Sequence, residues 1–387
     1  MRFKKCVFPV PSMMMTFLVP VASQVSDRER LPLEVIELGT CDKYPQDGVL
    51  WRRESDISPD ANPVVYLEYL NKHCVGSFKE CVVQLLAESD EGSVGCLITD
   101  AGFYFPQDVA NELSIPRLVL RTSSVASLLV YGGLITLTSE NDCYFNPTKQ
   151  DLDYNAPLKD YPIMKVKDVL KISANLKSQL DFLDKIFKHM KTSSGIIWNT
   201  FKELEQPELN TINQQYQVPS FTLGPFHKYF RSSLSSLIKQ DETVLKWLDT
   251  QPPKSTIYVS FGSLACITES EFQQVALGLE NIGLPFLWVV RPGLVTGSEW
   301  AESLPEKFLE RVGDRGRIVK WCPQQEVLAH PATGCFWTHN GWNSTLESIC
   351  EGVPMLMVPA PFQWITNNST LLILLQGSVW IDVLCAS

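Results

Sequence analysis

Between residues 255 and 359 the sequence alternates short, almost wholly apolar runs with stretches of helical period, and that alternation leaves few folds open. "STIYVSFGS" (Ser255 to Ser263), "PFLWVV" (Pro285 to Val290), "GRIVKW" (Gly316 to Trp321), "TGCFWT" (Thr333 to Thr338) and "PMLMVP" (Pro354 to Pro359) read as strands. Helices are expected over Glu269 to Asn281, over "QEVLAH" (Gln325 to His330) and over Asn343 to Cys350. In the first of these, Phe272, Val275, Ala276 and Leu279 make one apolar stripe at helical spacing. Strands that are apolar on both faces and alternate with helices imply a parallel sheet covered on both sides. Earlier in the chain the same pattern recurs, with strands at Gly95 to Thr99, Pro116 to Leu120, Ser194 to Thr200 and Pro219 to Gly224 and a helix at Phe105 to Leu113.

A chain of 387 residues is longer than the roughly 250 to 300 residues at which one core stops growing. Two domains are therefore expected. The polar, serine-rich segment 224–240, containing "RSSLSSL", is the expected linker between α/β domains of residues 1–223 and 241–387. A net charge of −10 with no basic block argues against a nucleic-acid or acidic-membrane partner. Eleven cysteines with no Cys-x-x-Cys pair make neither a disulfide framework nor a zinc site, and suit a reducing compartment. Met1 to Ala22 has the outline of a signal peptide, but Pro9, Pro11 and Pro20 interrupt it. A cytoplasmic protein is expected.

The most polar junction is "FWTHNGWNSTLES" (Phe336 to Ser348), where a strand turns through glycine into a helix. Ser344-Thr345-Leu346-Glu347 fits a capping box with Asn343 or Ser344 at the helix start. The same residues fit an anion site, because free backbone N–H groups and the helix dipole favour negative charge at the carboxyl end of a parallel strand. Gly341 would let backbone approach a ligand closely.

The segment "WCPQQEVLAHPATGCFWTHNGWNSTLESICEGVP" (Trp321 to Pro354) resembles the signature of plant secondary-metabolism UDP-sugar glycosyltransferases. The resemblance extends through Trp247 to Ser263, Pro285 to Gly293 and Cys96 to Thr122. It implies a GT-B fold, two Rossmann-like doubly wound domains facing each other, acceptor in the first and UDP-sugar in the second. It implies that Trp321 stacks on uracil, that the Cys322 backbone bonds its edge, and that Gln324 and Glu347 hold the ribose hydroxyls. Ser263, His339, Asn343 and Ser344 would hold the diphosphate, with Gly341 and Trp342 in the same donor-binding set. The expected reaction is inverting transfer of a hexose, from UDP-glucose, to a small hydrophobic plant aglycone. No metal or cofactor is implied beyond the UDP-sugar itself, and a monomer is expected.

Several positions depart from the family pattern. Asp100, ending "CLITD", matches the acid that orients the catalytic His, yet the His expected after a strand such as "KKCVFPVPS" (Lys4 to Ser12) is absent. An ungapped reading places Met15 near it, and His73 is the first histidine in the chain. Asn340 stands where the family has Cys, and Gln363 and Trp364 stand where an Asp or Glu followed by Gln would grip the sugar. The chain ends at Ser387, before the family's closing helix. A catalytically inactive UDP-binding protein, or a fragment truncated at both ends, is the alternative to an active transferase. His189 and His330 read as structural or solvated, and Trp337 as core.

Overall fold

The computed structural model describes residues 16–20, 36–37, 63–88, 94–140, 157–158, 161–165, 176–229, 238–263, 265–295, 300 and 303–357. The expected strand at Lys4 to Ser12, Met15, Gln363 and Trp364 lie outside the described residues. The described residues form two compact units that divide between Gly224 and Pro225.

In the first unit, β1 (Thr16–Pro20) and β2 (Ile36–Glu37) precede α1 (Pro63–His73) and α2 (Val75–Glu88). There follow β3 (Val94–Asp100), α3 (Pro106–Glu112), β4 (Arg117–Arg121) and α4 (Val125–Glu140). A small antiparallel pair, β5 (Pro157–Leu158) and β6 (Tyr161–Lys165), leads to α5 (Leu176–Lys191), β7 (Gly195–Trp198), α6 (Lys202–Tyr216) and β8 (Ser220–Thr222). The six-stranded sheet has the order β2-β1-β3-β4-β7-β8. From β3 to β8 its strands are parallel, as the apolar runs imply. At the other margin β1 runs antiparallel to both neighbours, a common variant of α/β sheets and one that a pattern of apolar runs does not reveal.

The second unit begins with α7 (Thr243–Leu248) and runs β9 (Thr256–Ser260), α8 (Glu269–Ile282), β10 (Phe286–Val289), α9 (Phe308–Val312) and β11 (Gly316–Val319). It continues through α10 (Gln324–Ala329), β12 (Thr333–Thr338), α11 (Trp342–Cys350) and β13 (Met355–Met357). All five strands are parallel, in the order β11-β10-β9-β12-β13. Every residue of β9 and β10 is buried, because the sheet is covered on both faces. Val259, Phe286 and Trp288 pack on one side against Phe272, Ala276 and Leu279 of α8. Tyr258, Leu287 and Val289 pack on the other against Leu328 and Phe336. The start of α8 is fixed by a true capping box, Thr268 accepting from the Glu271 backbone and Glu271 reaching back, and its end by Gly283 at φ +70°.

Strand order fixes where a ligand can sit. After β9 the chain steps to β10 and β11 on one side, then returns to β12 and β13 on the other, so the sheet's direction switches between β9 and β12. At such a switch point the loops leaving two adjacent strands diverge, and a crevice opens at their carboxyl ends. Those loops are Phe261 to Ser263 and His339 to Gly341.

Candidate functional site

The two loops meet at Gly262 and His339. Gly262 has φ +74°, and a Cβ built on it would fall within 3.0 Å of both Nε2 and Cε1 of the His339 ring. The close approach therefore needs glycine twice over, for backbone conformation and for space. His339 is buried, its Nδ1 lacks a hydrogen-bond partner, and burial pushes its pKa down to about 4, so the imidazole is neutral at physiological pH. Ser263 follows as an exposed residue at the tip of the turn. The turn is held from below by Arg291, whose guanidinium donates to the carbonyls of Gly262 (3.0 Å), Pro292 (3.1 Å) and Ala265.

Helix α11 starts at Trp342 with Gly341 as N-cap, one or two residues before the start expected from Asn343 or Ser344. The capping box does not form, and the N-cap residue, Gly341, makes no side-chain cap bond. Starting earlier places Ser344 and Glu347 inside the helix, where their side chains face α10 instead of the helix terminus. Gln324 Nε2 donates to Ser344 Oγ (3.1 Å) and to Glu347 Oε2 (2.6 Å), and Gln325 Nε2 donates to Glu347 Oε1 (3.1 Å). Burial raises the pKa of Glu347, and the bonds from Gln324 and Gln325 oppose that rise. Ser344 is buried and Asn343 is exposed; the Trp342 side chain is core, leaving its backbone at the helix start.

Asn340 adopts φ +62°, the left-handed region that asparagine enters more readily than most residues. Its Oδ1 accepts from Thr345 Oγ1 (2.8 Å), and its backbone N–H donates to Thr338 Oγ1 (3.1 Å). The residue that departs from the family pattern is thus bonded into the strand-to-helix turn.

Trp321, two residues beyond β11, is half-buried and lines a cavity of about 850 Å³ with Trp300, Ile318, Lys320 and Asp241. Lys320 Nζ lies 5.1 Å from the centroid of the Trp300 ring, so one wall carries positive charge over an aromatic face. Cys322 is buried, and burial pushes its thiol up to about 12. Of the residues singled out by sequence, Gln324, Ser344 and Glu347 are joined by direct bonds and His339 sits at the switch point. Sequence reasoning missed Tyr258, Gln325 and Arg291. Gln325 stood beside Gln324 in "PQQE", and Arg291 was the first charge after an apolar strand.

In the first unit Asp100 ends β3, buried, and accepts from Gly102 N (2.7 Å) and, at 3.5 Å, from Thr122 Oγ1. Burial pushes its carboxyl up to about 6, with the Gly102 bond and the Arg121 and Arg117 guanidinium groups opposing. Among the described residues no histidine bonds to Asp100. His73 is exposed at the end of α1, its ring tilted against that of Tyr69 with centroids 4.3 Å apart. Glu205, at the kink of α6, accepts from Ala126 N (3.1 Å) and so ties α6 to the start of α4. His189 Nδ1 lies 2.7 Å from the Lys185 carbonyl, His330 Nε2 lies 3.2 Å from Asp249 Oδ1, and Trp337 packs edge-on against Phe261. Each has a structural role.

Residues 230–371 match the family model described as UDP-glucoronosyl and UDP-glucosyl transferase. The chain is 46% identical over 319 residues to UDP-glycosyltransferase 76G1 of Stevia rebaudiana, a match covering 81% of this chain and 67% of that protein. It is 43% identical over 310 residues to UDP-glycosyltransferase 76B1 of Arabidopsis thaliana, covering 79% of this chain and 68% of the relative. It thus spans about two thirds of the length of these relatives. Among solved structures, UGT2 of Phytolacca americana, complexed with UDP-2fluoro-glucose and pterostilbene, superposes with a TM-score of 0.65 at 30% identity, covering 85% of this chain and 70% of that one. Os79 from O. sativa in complex with UDP gives 0.66 at 25% identity, covering 83% and 71%. Among the described residues no helix is long and apolar enough to cross a membrane.

Proposed function

The chain belongs to the plant UDP-glycosyltransferase family, and from that premise we propose that it binds a UDP-sugar at the β9–β12 switch point and transfers the hexose, with inversion, to a small hydrophobic plant acceptor. UDP-glucose is the proposed donor. The observation that carries the reading is the bonded cluster of Gln324, Ser344 and Glu347 next to the start of α11 at the switch point. A carboxylate acceptor beside an amide suits a ribose diol, and the positive end of the α11 dipole suits a diphosphate.

In this reading Trp321 stacks on the uracil in its aromatic cavity, and the Cys322 backbone bonds the base edge. Glu347 and Gln324 take the ribose hydroxyls. Ser263, Asn343, Ser344 and the neutral His339, with the backbone of Gly341 and Trp342, take the phosphates. An imidazole held neutral carries one N–H, and for His339 to meet a phosphate oxygen that N–H must turn from the Ser260 backbone to the ligand. Charge on departing UDP is then met by hydrogen bonds and the helix dipole, without a metal. Asp100 is proposed on the acceptor side as the acid that would orient a base taking the acceptor's proton, and among the described residues no histidine fills that place. Gln363 and Trp364 are proposed at the sugar.

A second reading, a UDP-binding protein without turnover, is favoured by the absence of a histidine bonded to Asp100 among the described residues. Both are tested with the purified full chain: UDP binding by calorimetry, and UDP release from UDP-glucose in the presence of a panel of phenols and carboxylic acids. Release that depends on the acceptor establishes the transferase. Binding without release establishes the second reading, and no binding rejects both.

A further inference from the structure

We propose that Tyr258 is a positioning residue of the donor site: its buried hydroxyl fixes the orientation of the Gln324 amide, and through it the carboxylate of Glu347 that receives the ribose. The proposal rests on the UDP reading above. Tyr258 lies in the middle of β9, 1% exposed, with its ring stacked on Phe336 at a centroid distance of 4.9 Å and an interplanar angle of 19°. That packing holds the ring and aims the hydroxyl at α10. The hydroxyl lies 3.1 Å from Gln324 Oε1 and 3.6 Å from Cys322 Sγ.

The polarity of this chain of bonds follows from its far end. An ionised Glu347 can only accept, so the end of Gln324 that faces it must be the NH₂ group. The opposite end is then the carbonyl, which can only accept, so the Tyr258 hydroxyl must donate to it. Burial and the neighbouring Cys322 hold the phenol far above its ordinary pKa, so this proton stays in place across the physiological range. With its proton committed to Gln324, the tyrosine oxygen is left to accept, and the Cys322 thiol can serve as its donor.

Without the hydroxyl, Gln324 gains little from one amide orientation over the other at its inner end. A flipped amide would set its carbonyl against the Glu347 carboxylate, and repulsion would displace the group that meets the diol. Gln324 and Glu347 would hold the ribose, Trp321 would not feel the change, and the phosphate cradle would feel it only through Ser344, whose hydroxyl can turn to donate to a flipped amide. Tyr258 therefore affects chiefly the part of the ligand that carries the 2′ and 3′ hydroxyls.

The test compares UDP with 2′,3′-dideoxy-UDP, by calorimetry on the full chain, for wild type, Tyr258→Phe, Gln324→Ala and the double variant. The Tyr258→Phe chain is expected to lose about tenfold in UDP affinity, the scale of one well-placed hydrogen bond, with a clearly smaller loss toward the dideoxy ligand. In the Gln324→Ala background the same substitution is expected to have no further effect. Equal losses for both ligands, an unchanged UDP affinity, or an undiminished effect in the Gln324→Ala background each overturn the role given to Tyr258. Wild-type protein that binds neither ligand rejects the donor-site reading itself, an outcome distinct from these. Melting temperatures of all four proteins, read alongside, separate a folding defect from a change confined to the site.

Discussion

The imidazole of His339 occupies the space that a side chain on Gly262 would take, with Nε2 and Cε1 both within 3.0 Å of the Cβ position. Gly262→Ala adds that carbon in a backbone conformation, φ +74°, that already disfavours it. The expected cost is about 2 to 3 kcal/mol, the sum of a left-handed alanine and an overpacked neighbour. Thermal denaturation measures the stability loss, and calorimetry should show weakened UDP binding because the ring must move. A variant with wild-type stability and affinity would mean that the two loops do not press on each other.

His339 also gives the fold a pH dependence of definite sign. Its pKa falls from an ordinary 6.5 to about 4 on burial, so between those values the unfolded chain binds more protons than the folded one. Stability from this group is therefore fully present above pH 6.5 and is lost as pH falls toward 4. Other buried groups titrate too, so the quantity to measure is the difference between wild type and His339→Gln. Between pH 7 and pH 5 the wild type should lose about 2 kcal/mol more than the variant in denaturant unfolding. Parallel curves would show that the imidazole is solvated.

Glu347 links α10 to α11 and does not cap its own helix, so its removal should harm binding more than folding. In Glu347→Ala the amides of Gln324 and Gln325 lose their acceptor, at a cost of about 1 to 2 kcal/mol in stability. UDP affinity should fall by about tenfold or more, because the ribose loses a charged acceptor as well. Calorimetry and a melting curve on one preparation decide the matter: stability that falls while affinity holds would return Glu347 to a structural role.

The parallel sheet of the second unit was legible because β9, β10 and β12 are apolar on both faces, and only a sheet covered on both sides buries such runs. The start of α11 was legible less well. Ser-x-x-Glu is the pattern of a capping box, but the same two side chains, shifted into the helix by an earlier start, bond instead to a neighbouring helix. Local spacing cannot distinguish these cases, because the competitor, Gln324, lies on another element. Tyr258 was hidden for a related reason. Within "TIYVS" it reads as one more β-forming residue, and its hydroxyl acquires a role only when α10 packs beside β9. The left-handed turn at Asn340 has no signature beyond the residue's own tolerance for it.

That turn supports the last prediction. Asn340 carries two loads: a backbone at φ +62°, and a side-chain oxygen that accepts from Thr345. Asn340→Gly relieves the first and loses the second, whereas Asn340→Ala loses both the bond and the tolerance. If the conformation matters as much as the bond, the alanine variant should be less stable than the glycine variant by about 1 kcal/mol or more. Thr345→Val, which keeps Asn340 and removes its donor, should match the glycine variant's loss to within about 0.5 kcal/mol. Chemical denaturation of the three variants gives the comparison directly. Equal losses for alanine and glycine would place the whole effect in the hydrogen bond, and a harmless Thr345→Val would place it in the backbone. Since His339 and Gly341 flank this residue, the alanine variant should also bind UDP less tightly than the glycine variant, which connects the one departure inside the phosphate turn to the affinity of the site.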